Sequence, residues 1–321
     1  MIVNPVKAKV EVKKGEWKEG NLSTDFDIGF TMAYGAGKFV AMQHAEARCV
    51  YSTDGINWVE TTMPTAMKYY STCYGAGKFV AVGVAKDDTT TSIAAYSTDG
   101  INWTQTTFPV SAFWQSVCYG AGKFVAAATN GVAVYSTDGI NWTQVSMPSN
   151  YGATRCAYGA GKFVAINYNT LETRAEQMAY STDGITWTNH TNDLLLGQSL
   201  ARIRYGNGMF VATSADNTSK YTNNAVYSTD GINWAESTLP VKAKWRELCY
   251  GAGMFILTAY KDESNNPATF MAYSTDGITW KLASGLEAKK RQAIAYGGGK
   301  FVVCTENQGN EYLQHTIENW G

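Results

Sequence analysis

Seven copies of one short pattern constrain this chain more than any other feature. Tyr-Gly-x-Gly-(Lys/Met)-Phe begins at Tyr34, Tyr74, Tyr119, Tyr158, Tyr205, Tyr250 and Tyr296. A second pattern, Tyr-Ser-Thr-Asp-Gly-Ile-(Asn/Thr)-Trp, follows six of them, with its serine at 52, 97, 136, 181, 228 and 274, and worn versions stand before Trp17 and around Trp320. A repeat of about 45 residues cannot bury its own apolar faces, so residues 1–321 are expected to form one domain.

Each repeat reads as four short strands. In residues 111–146 these are expected at Gln115–Tyr119, Lys123–Ala127, Val132–Thr137 and Ile140–Val145. Glycines 120 and 122 supply a tight, bulged first hairpin. Asp138-Gly139 suggests a two-residue type I′ turn before the fourth strand. The expected fold is all-β, a seven-bladed β-propeller of four-stranded antiparallel blades, with repeats beginning near 30, 70, 115, 154, 201, 246 and 292. Trp17 precedes Tyr34 by 17 residues, close to the 16 that separate Trp58, Trp103, Trp142, Trp234 and Trp280 from the next repeat tyrosine. Residues 1–20 should therefore complete the last blade, so that the N- and C-terminal strands close the ring. Trp17 and Trp320 both align with the pattern tryptophan, and only one can fill that place. Val6–Val12 alternates apolar and charged residues as a half-exposed edge strand does.

The spacing also divides the surface. From each pattern serine to the next repeat tyrosine the distance is 22 residues, or 24 from Ser181, whereas tyrosine to serine varies as 18, 23, 17, 23, 23 and 24. The variation falls between the second and third strands, in Gln43–Arg48, Val84–Ile93, Thr129–Gly131, Tyr168–Gln177, Ala215–Asn224 and Tyr260–Thr269. Those loops share a face with the connections that enter each first strand, and function on a repeat scaffold is expected where loops differ. That face also carries Tyr69, Tyr70, Phe113, Trp114, Tyr151, Trp245, Arg246 and Arg291, which are the candidate ligand-binding residues. Rings there could stack on sugars or anchor a protein contact, or could instead pack down onto neighbouring blades.

A net charge of −1 gives no basic field for nucleic acid. No apolar run of membrane length and no signal-peptide core is present, so neither membrane insertion nor cleaved export is expected. Cys73, Cys118 and Cys249 immediately precede repeat tyrosines. Equivalent positions on packed sheets lie roughly 10 Å apart, too far for a disulfide. The six cysteines therefore read as buried thiols of a protein folded in a reducing cytosol. His44, His190 and His315 have no metal-ligand spacing, and the repeated Gly-Ala-Gly-Lys-Phe leads into strands, not helices, so no metal, phosphate loop or cofactor is expected.

Ser-Thr-Asp-Gly-Ile-Asn-Trp resembles the Asp-box of BNR-like repeat propellers, with the glycine one place earlier than in the common form. Shortened boxes of this kind, together with Tyr-Gly-x-Gly-x-Phe, look like those of phage and bacterial tail, fibre or adhesin proteins. The resemblance implies a non-enzymatic recognition or adhesion module on a virion or cell surface, with a cell-surface carbohydrate as ligand. A structural part whose partners are other virion proteins is the alternative. The box residues Asp54, Asp99, Asp138, Asp183, Asp230 and Asp276 are expected to accept backbone N–H bonds within the turn, and the box tryptophans to wedge between blades. Sialidases also carry Asp-boxes, and hold the substrate carboxylate with three arginines beside a Tyr–Glu nucleophile pair and an Asp acid. Arg155, Arg202, Arg204, Arg246, Arg291 and Glu247 stand on or near inner strands here, but with so few acids a hydrolase is the less favoured reading.

Overall fold

The computed structural model describes residues 17–20, 28–43, 45–148, 153–167, 177–191, 200–214, 221–284, 286–306 and 312–318. Val6–Val12, Tyr151, His44 and Trp320 lie outside them, as do residues 168–176 and 215–220 of two variable loops. The described chain is all-β apart from one 3-10 turn, Thr129–Gly131. Its strands form antiparallel four-stranded meanders, such as Trp114–Gly120, Lys123–Ala128, Val132–Ser136 and Thr143–Ser146. Two of these meanders are fused into one seven-stranded sheet, because the 17-residue strand Ala235–Gly251 ends one and begins the next.

The last meander draws on both ends of the chain. Lys290–Gly297, Lys300–Glu306 and Tyr312–Glu318 are completed by Trp17–Glu19, in a register that sets Trp17 against Ile317. Ile317 pairs with Phe301 as Ser136 pairs with Phe124. Residue 17 therefore takes the register place of a box tryptophan.

Two glycines of the first pattern do different work. Gly120 pairs with Lys123 across a two-residue turn in which Ala121 and Gly122 both have positive φ, 45° and 74°. This, and not Asp138-Gly139, is the turn with two left-handed residues, and the hairpin closes on it without the expected bulge. Gly120 is needed for space instead: a Cβ there would lie 1.9 Å from Cγ of Tyr158 in the next repeat. The same contact joins Gly35 to Tyr74, Gly75 to Tyr119, Gly159 to Tyr205, Gly206 to Tyr250 and Gly251 to Tyr296, and then returns from Gly297 to Tyr34. Alanine in the left-handed region is strained, and the equivalent positions Asn207 and Gly298 show what relieves it. Ala121→Gly is expected to raise stability by about 0.5–1 kcal/mol, read as a higher thermal midpoint.

The second pattern forms a longer turn than expected. The third strand ends at Ser136 and the fourth begins only at Thr143, so Ile140 and Trp142 belong to the loop. Ser136 Oγ accepts from the N–H groups of Asp138 and Gly139 and donates to Asp138 Oδ1. Asp138 Oδ1 accepts from the N–H groups of Ile140 and Asn141, and Oδ2 from the Asn141 side chain. The set recurs at Asp54, Asp99 and Asp230, and without the Asn arm at Asp183 and Asp276. At Asp138 burial alone would raise the carboxyl, but the four hydrogen bonds outweigh it and hold it well below the usual range. A depressed native pKa contributes stability above the unfolded carboxyl range, about pH 4, that is lost as pH falls toward the native value. Stability should thus fall steeply below about pH 4, and Asp138→Asn should flatten that limb in a pH series of melts.

The core lies between sheets. Phe108, Val80 and Val82 of one meander pack against Phe124, Val134 and Trp142 of the next, with the Phe108 and Trp142 rings edge-to-face at 4.8 Å. Trp58, Phe39 and Val50 pack in the same way against Ala293, Val302 and Cys304 of the terminal meander. The box tryptophan wedges against the preceding sheet, as expected, and each such ring is worth about 1.5–3 kcal/mol through burial.

Candidate functional site

The first strands line one cavity of about 350 Å³. All seven repeats reach it, through residues such as Thr31, Ser71, Ser116, Arg155, Arg204, Glu247 and Ile294. Its chemistry follows from one position in the repeat, three residues before the motif tyrosine. In three successive repeats a hydroxyl there ties two first strands together. Thr31 Oγ1 accepts from Thr72 N–H at 2.8 Å, Ser71 Oγ from Val117 N–H at 3.1 Å and Ser116 Oγ from Cys156 N–H at 3.0 Å. These bonds satisfy strand-edge donors that have no neighbouring strand. The next three repeats place Arg155, Arg202 and Glu247 at that position, and the hydroxyl tie gives way to charge.

Glu247 is held by two arginines. Arg202 Nε donates to Oε2 at 2.7 Å and Arg204 Nη2 to Oε1 at 2.8 Å. The Glu247 side chain is 8% exposed and that of Arg202 9%, while Arg204 is 40% exposed. Burial would raise the Glu247 carboxyl, but the fields of Arg202, Arg204 and Arg155 outweigh it and hold the group below the usual range. Arg155 donates to the Gln115 carbonyl at 2.8 Å and to its Oε1 at 3.2 Å. Burial, with repulsion from Arg202, lowers the Arg155 guanidinium to about 9, so it stays charged at neutral pH. Three guanidiniums and one carboxylate leave a positive excess that a bound anion would relieve.

The candidate residues named from the sequence sort by a bulge. Register shifts fall between Tyr69 and Ser71, Trp114 and Ser116, and Arg291 and Ala293, so the residue before the shift turns inward. Tyr69, Trp114 and Trp245 are therefore core side chains, 0–1% exposed, and do not present a contact surface. Trp114 Nε1 donates to the Thr91 carbonyl and Trp245 Nε1 to that of Thr222, while Tyr69 donates to the Thr65 carbonyl. Arg291 is buried too, and donates to the Ala268 carbonyl at 2.7 Å. In Trp114, Trp245 and Arg291 the acceptor lies 23 residues earlier, so Arg291 performs the tryptophan's structural task.

The residues that do reach the surface are Tyr70, Phe113 and Arg246. Tyr70 and Phe113 stack with centroids 6.0 Å apart, and Tyr70 lines the cavity. Arg246 donates to Gln292 Oε1 and lies 5.5 Å from the Tyr260 ring centroid, where Lys290 and Lys261 also gather. The cavity arginines and Glu247, weighed from sequence only against a hydrolase, were missed as a binding site. Aligning the repeats at that single offset is the signal that exposes them.

Comparison with known proteins agrees on architecture. Similar solved structures include a streptogramin B lyase, with TM-score 0.76 and 12% identity over 95% of this chain and 98% of that one. Virginiamycin B lyase from Staphylococcus aureus gives TM-score 0.75 and 12% identity over 95% and 99%. YCF48 bound to a D1 peptide gives 0.66 and 15% over 94% and 97%. The fold is propeller-like. No family model matches the sequence, and no curated protein matches it. Among the described residues, no histidine lines the cavity.

Proposed function

We propose that the chain is a closed, seven-bladed propeller acting as a non-enzymatic recognition module, and that it binds a protein partner through an acidic segment received by Arg155 and Arg204. The observation that carries this reading is the replacement of a repeated hydroxyl tie by Arg155, Arg202 and Glu247, with Arg155, Arg204 and Glu247 lining the cavity. Both Glu247 oxygens are engaged by arginine, so the carboxylate organises guanidiniums and is poorly placed to carry a proton. The cations around Tyr260 extend the positive surface, and YCF48, a structural neighbour, is seen with a peptide. Closure of the ring is supported by the glycine–tyrosine contact that returns from Gly297 to Tyr34. On this reading the Asp-box likeness concerns scaffold turns alone.

The test is a fluorescent peptide library rich in Asp and Glu, set against its Asn/Gln-matched counterpart. Wild-type protein should retain acidic members selectively, with affinity falling as salt rises. Arg155→Gln/Arg204→Gln should weaken them by tenfold or more, about 1.4 kcal/mol, in protein that still melts cooperatively. Equal retention of both libraries would overturn the reading. Retention of sialylated or other glycans on an array, with both libraries blank, would return the ligand to carbohydrate, with Tyr70 and Phe113 as the remaining ring platform.

A further inference from the structure

Cys118 and Cys156 come from different repeats yet meet at the cavity wall. Cys118 faces the same side of its strand as Ser116, two residues earlier, and pairs across to Val125. The Cys156 sulfur lies 3.4 Å from Ser116 Oγ and 3.7 Å from the Val125 carbonyl oxygen, to which it donates. It is thus seated beside Cys118, and both belong to one apolar cluster. The wide spacing expected for cysteines of neighbouring blades applies to equivalent positions. Cys118 precedes its tyrosine by one residue and Cys156 by two, and this offset lets them face each other.

Their surroundings divide the pair into unlike thiols. Cys156 is drawn toward thiolate by its hydrogen bond with Cys118 and then, against burial, by Ser116, Arg204 and Arg155. Cys118 is kept as a thiol by burial and by its neighbour. Both open onto the cavity with Arg155 and Arg204, which is roomy enough for a small polar oxidant. A thiol that ionises more readily than its neighbour is the arrangement of an attacking and a resolving cysteine.

We propose that Cys118 and Cys156 form an oxidant-sensitive dithiol site whose co-substrate is hydrogen peroxide. The Cys156 sulfur attacks one peroxide oxygen, the O–O bond breaks, and the departing hydroxide takes up the thiol's proton to leave as water. Cys156 is then a sulfenic acid. The Cys118 sulfur attacks it, the S–O bond breaks, and the second oxygen leaves as water with the proton from Cys118. Two thiols are oxidised to one disulfide and one peroxide is reduced to two waters. The disulfide would close the wall between two first strands next to Arg155, so the site goes beyond the recognition reading and stands or falls separately from it.

The experiment treats the reduced full-length chain with hydrogen peroxide, alkylates it after denaturation and maps the peptides by mass. The expected result is a Cys118–Cys156 linked peptide that dithiothreitol reverses, with Cys156 consumed about tenfold faster than Cys73 or Cys249. In Cys118→Ser the linked peptide should vanish and dimedone should trap sulfenic acid on Cys156. Oxidation spread evenly over the cysteines, or single-residue over-oxidation of Cys156 with no linked peptide in the wild type, would overturn the proposal. The wild-type map needs no variant to fold.

Discussion

Gly120→Ala is expected to destabilise the chain by about 3 kcal/mol or more, lowering the thermal midpoint by roughly 5–10 °C. The added Cβ would stand 1.9 Å from Tyr158 Cγ and 2.5 Å from Tyr158 Cβ, atoms at the root of the side chain. A change of χ1 could swing Cγ but leaves Cβ in place 2.5 Å away, so one first strand must shift relative to the next. A control sits two residues further on. Gly122 has nothing within 4 Å of a built Cβ but has φ +74°, so Gly122→Ala should cost only about 1 kcal/mol through backbone strain. Pairing Gly120→Ala with Tyr158→Ala should recover part of the loss, because the two groups share one contact. Equal melting losses for the two glycines would show that the interlock of repeats is not where the stability lies.

Glu247→Gln is the second large change, expected to cost about 3–5 kcal/mol. The substitution keeps the volume but removes the charge that Arg202 and Arg204 share, leaving the buried Arg202 guanidinium facing Arg204 and Arg155 without compensation. The intact pair is not a large source of stability in itself, since desolvation offsets most of its attraction. Its loss is costly because the remaining charges are uncompensated. The acid limb reports the same group. With a depressed native pKa, Glu247 contributes stability above the unfolded carboxyl range that is lost as pH falls through the native value. The variant should lose that part of the pH dependence in urea titrations below about pH 5. Sulfate should stabilise it more than wild type, because an anion can occupy the vacated charge. A Glu247→Gln protein that keeps the wild-type pH profile and gains nothing from sulfate would remove the electrostatic basis of the proposed binding site.

Much of the scaffold could be read from residues alone because the repeats obey local rules. A glycine-bearing turn after each tyrosine, a serine and aspartate that satisfy their own turn amides, and tryptophan at fixed spacing are each decided within a few residues. The turn signals flanking Lys123–Ala128 and Val132–Ser136 placed those strands to within one residue. The Asp-Gly turn was misread because that dipeptide most often marks a type I′ hairpin. Here Asp138 accepts amides two and three residues ahead and pulls the chain into a wider loop. The positive-φ pair fell instead on Ala121 and Gly122, where alanine hides the signal.

The site was legible only in part, since the sequence does not say on which side of a bulged strand a residue emerges. Tyr69 and Tyr70 are adjacent, yet one is sealed in the core and the other lines the cavity. The register shift beside them decides this, and it arises where a first strand must reach both its own sheet and the next repeat. Likewise, Arg291 carries the charge of a binding residue but fills the hydrogen-bonding place of Trp114 and Trp245.

The sequence by itself determined the repeat, the antiparallel strands within it and the use of both termini in one sheet, because these follow from short-range spacing. Only the tertiary structure decided which charges meet. Arg155, Arg202 and Glu247 are about 45 residues apart in the chain, roughly one repeat. They become neighbours because the first strands of the seven repeats converge, bringing Arg202 and Glu247 into one ion pair and Arg155 and Glu247 onto one cavity.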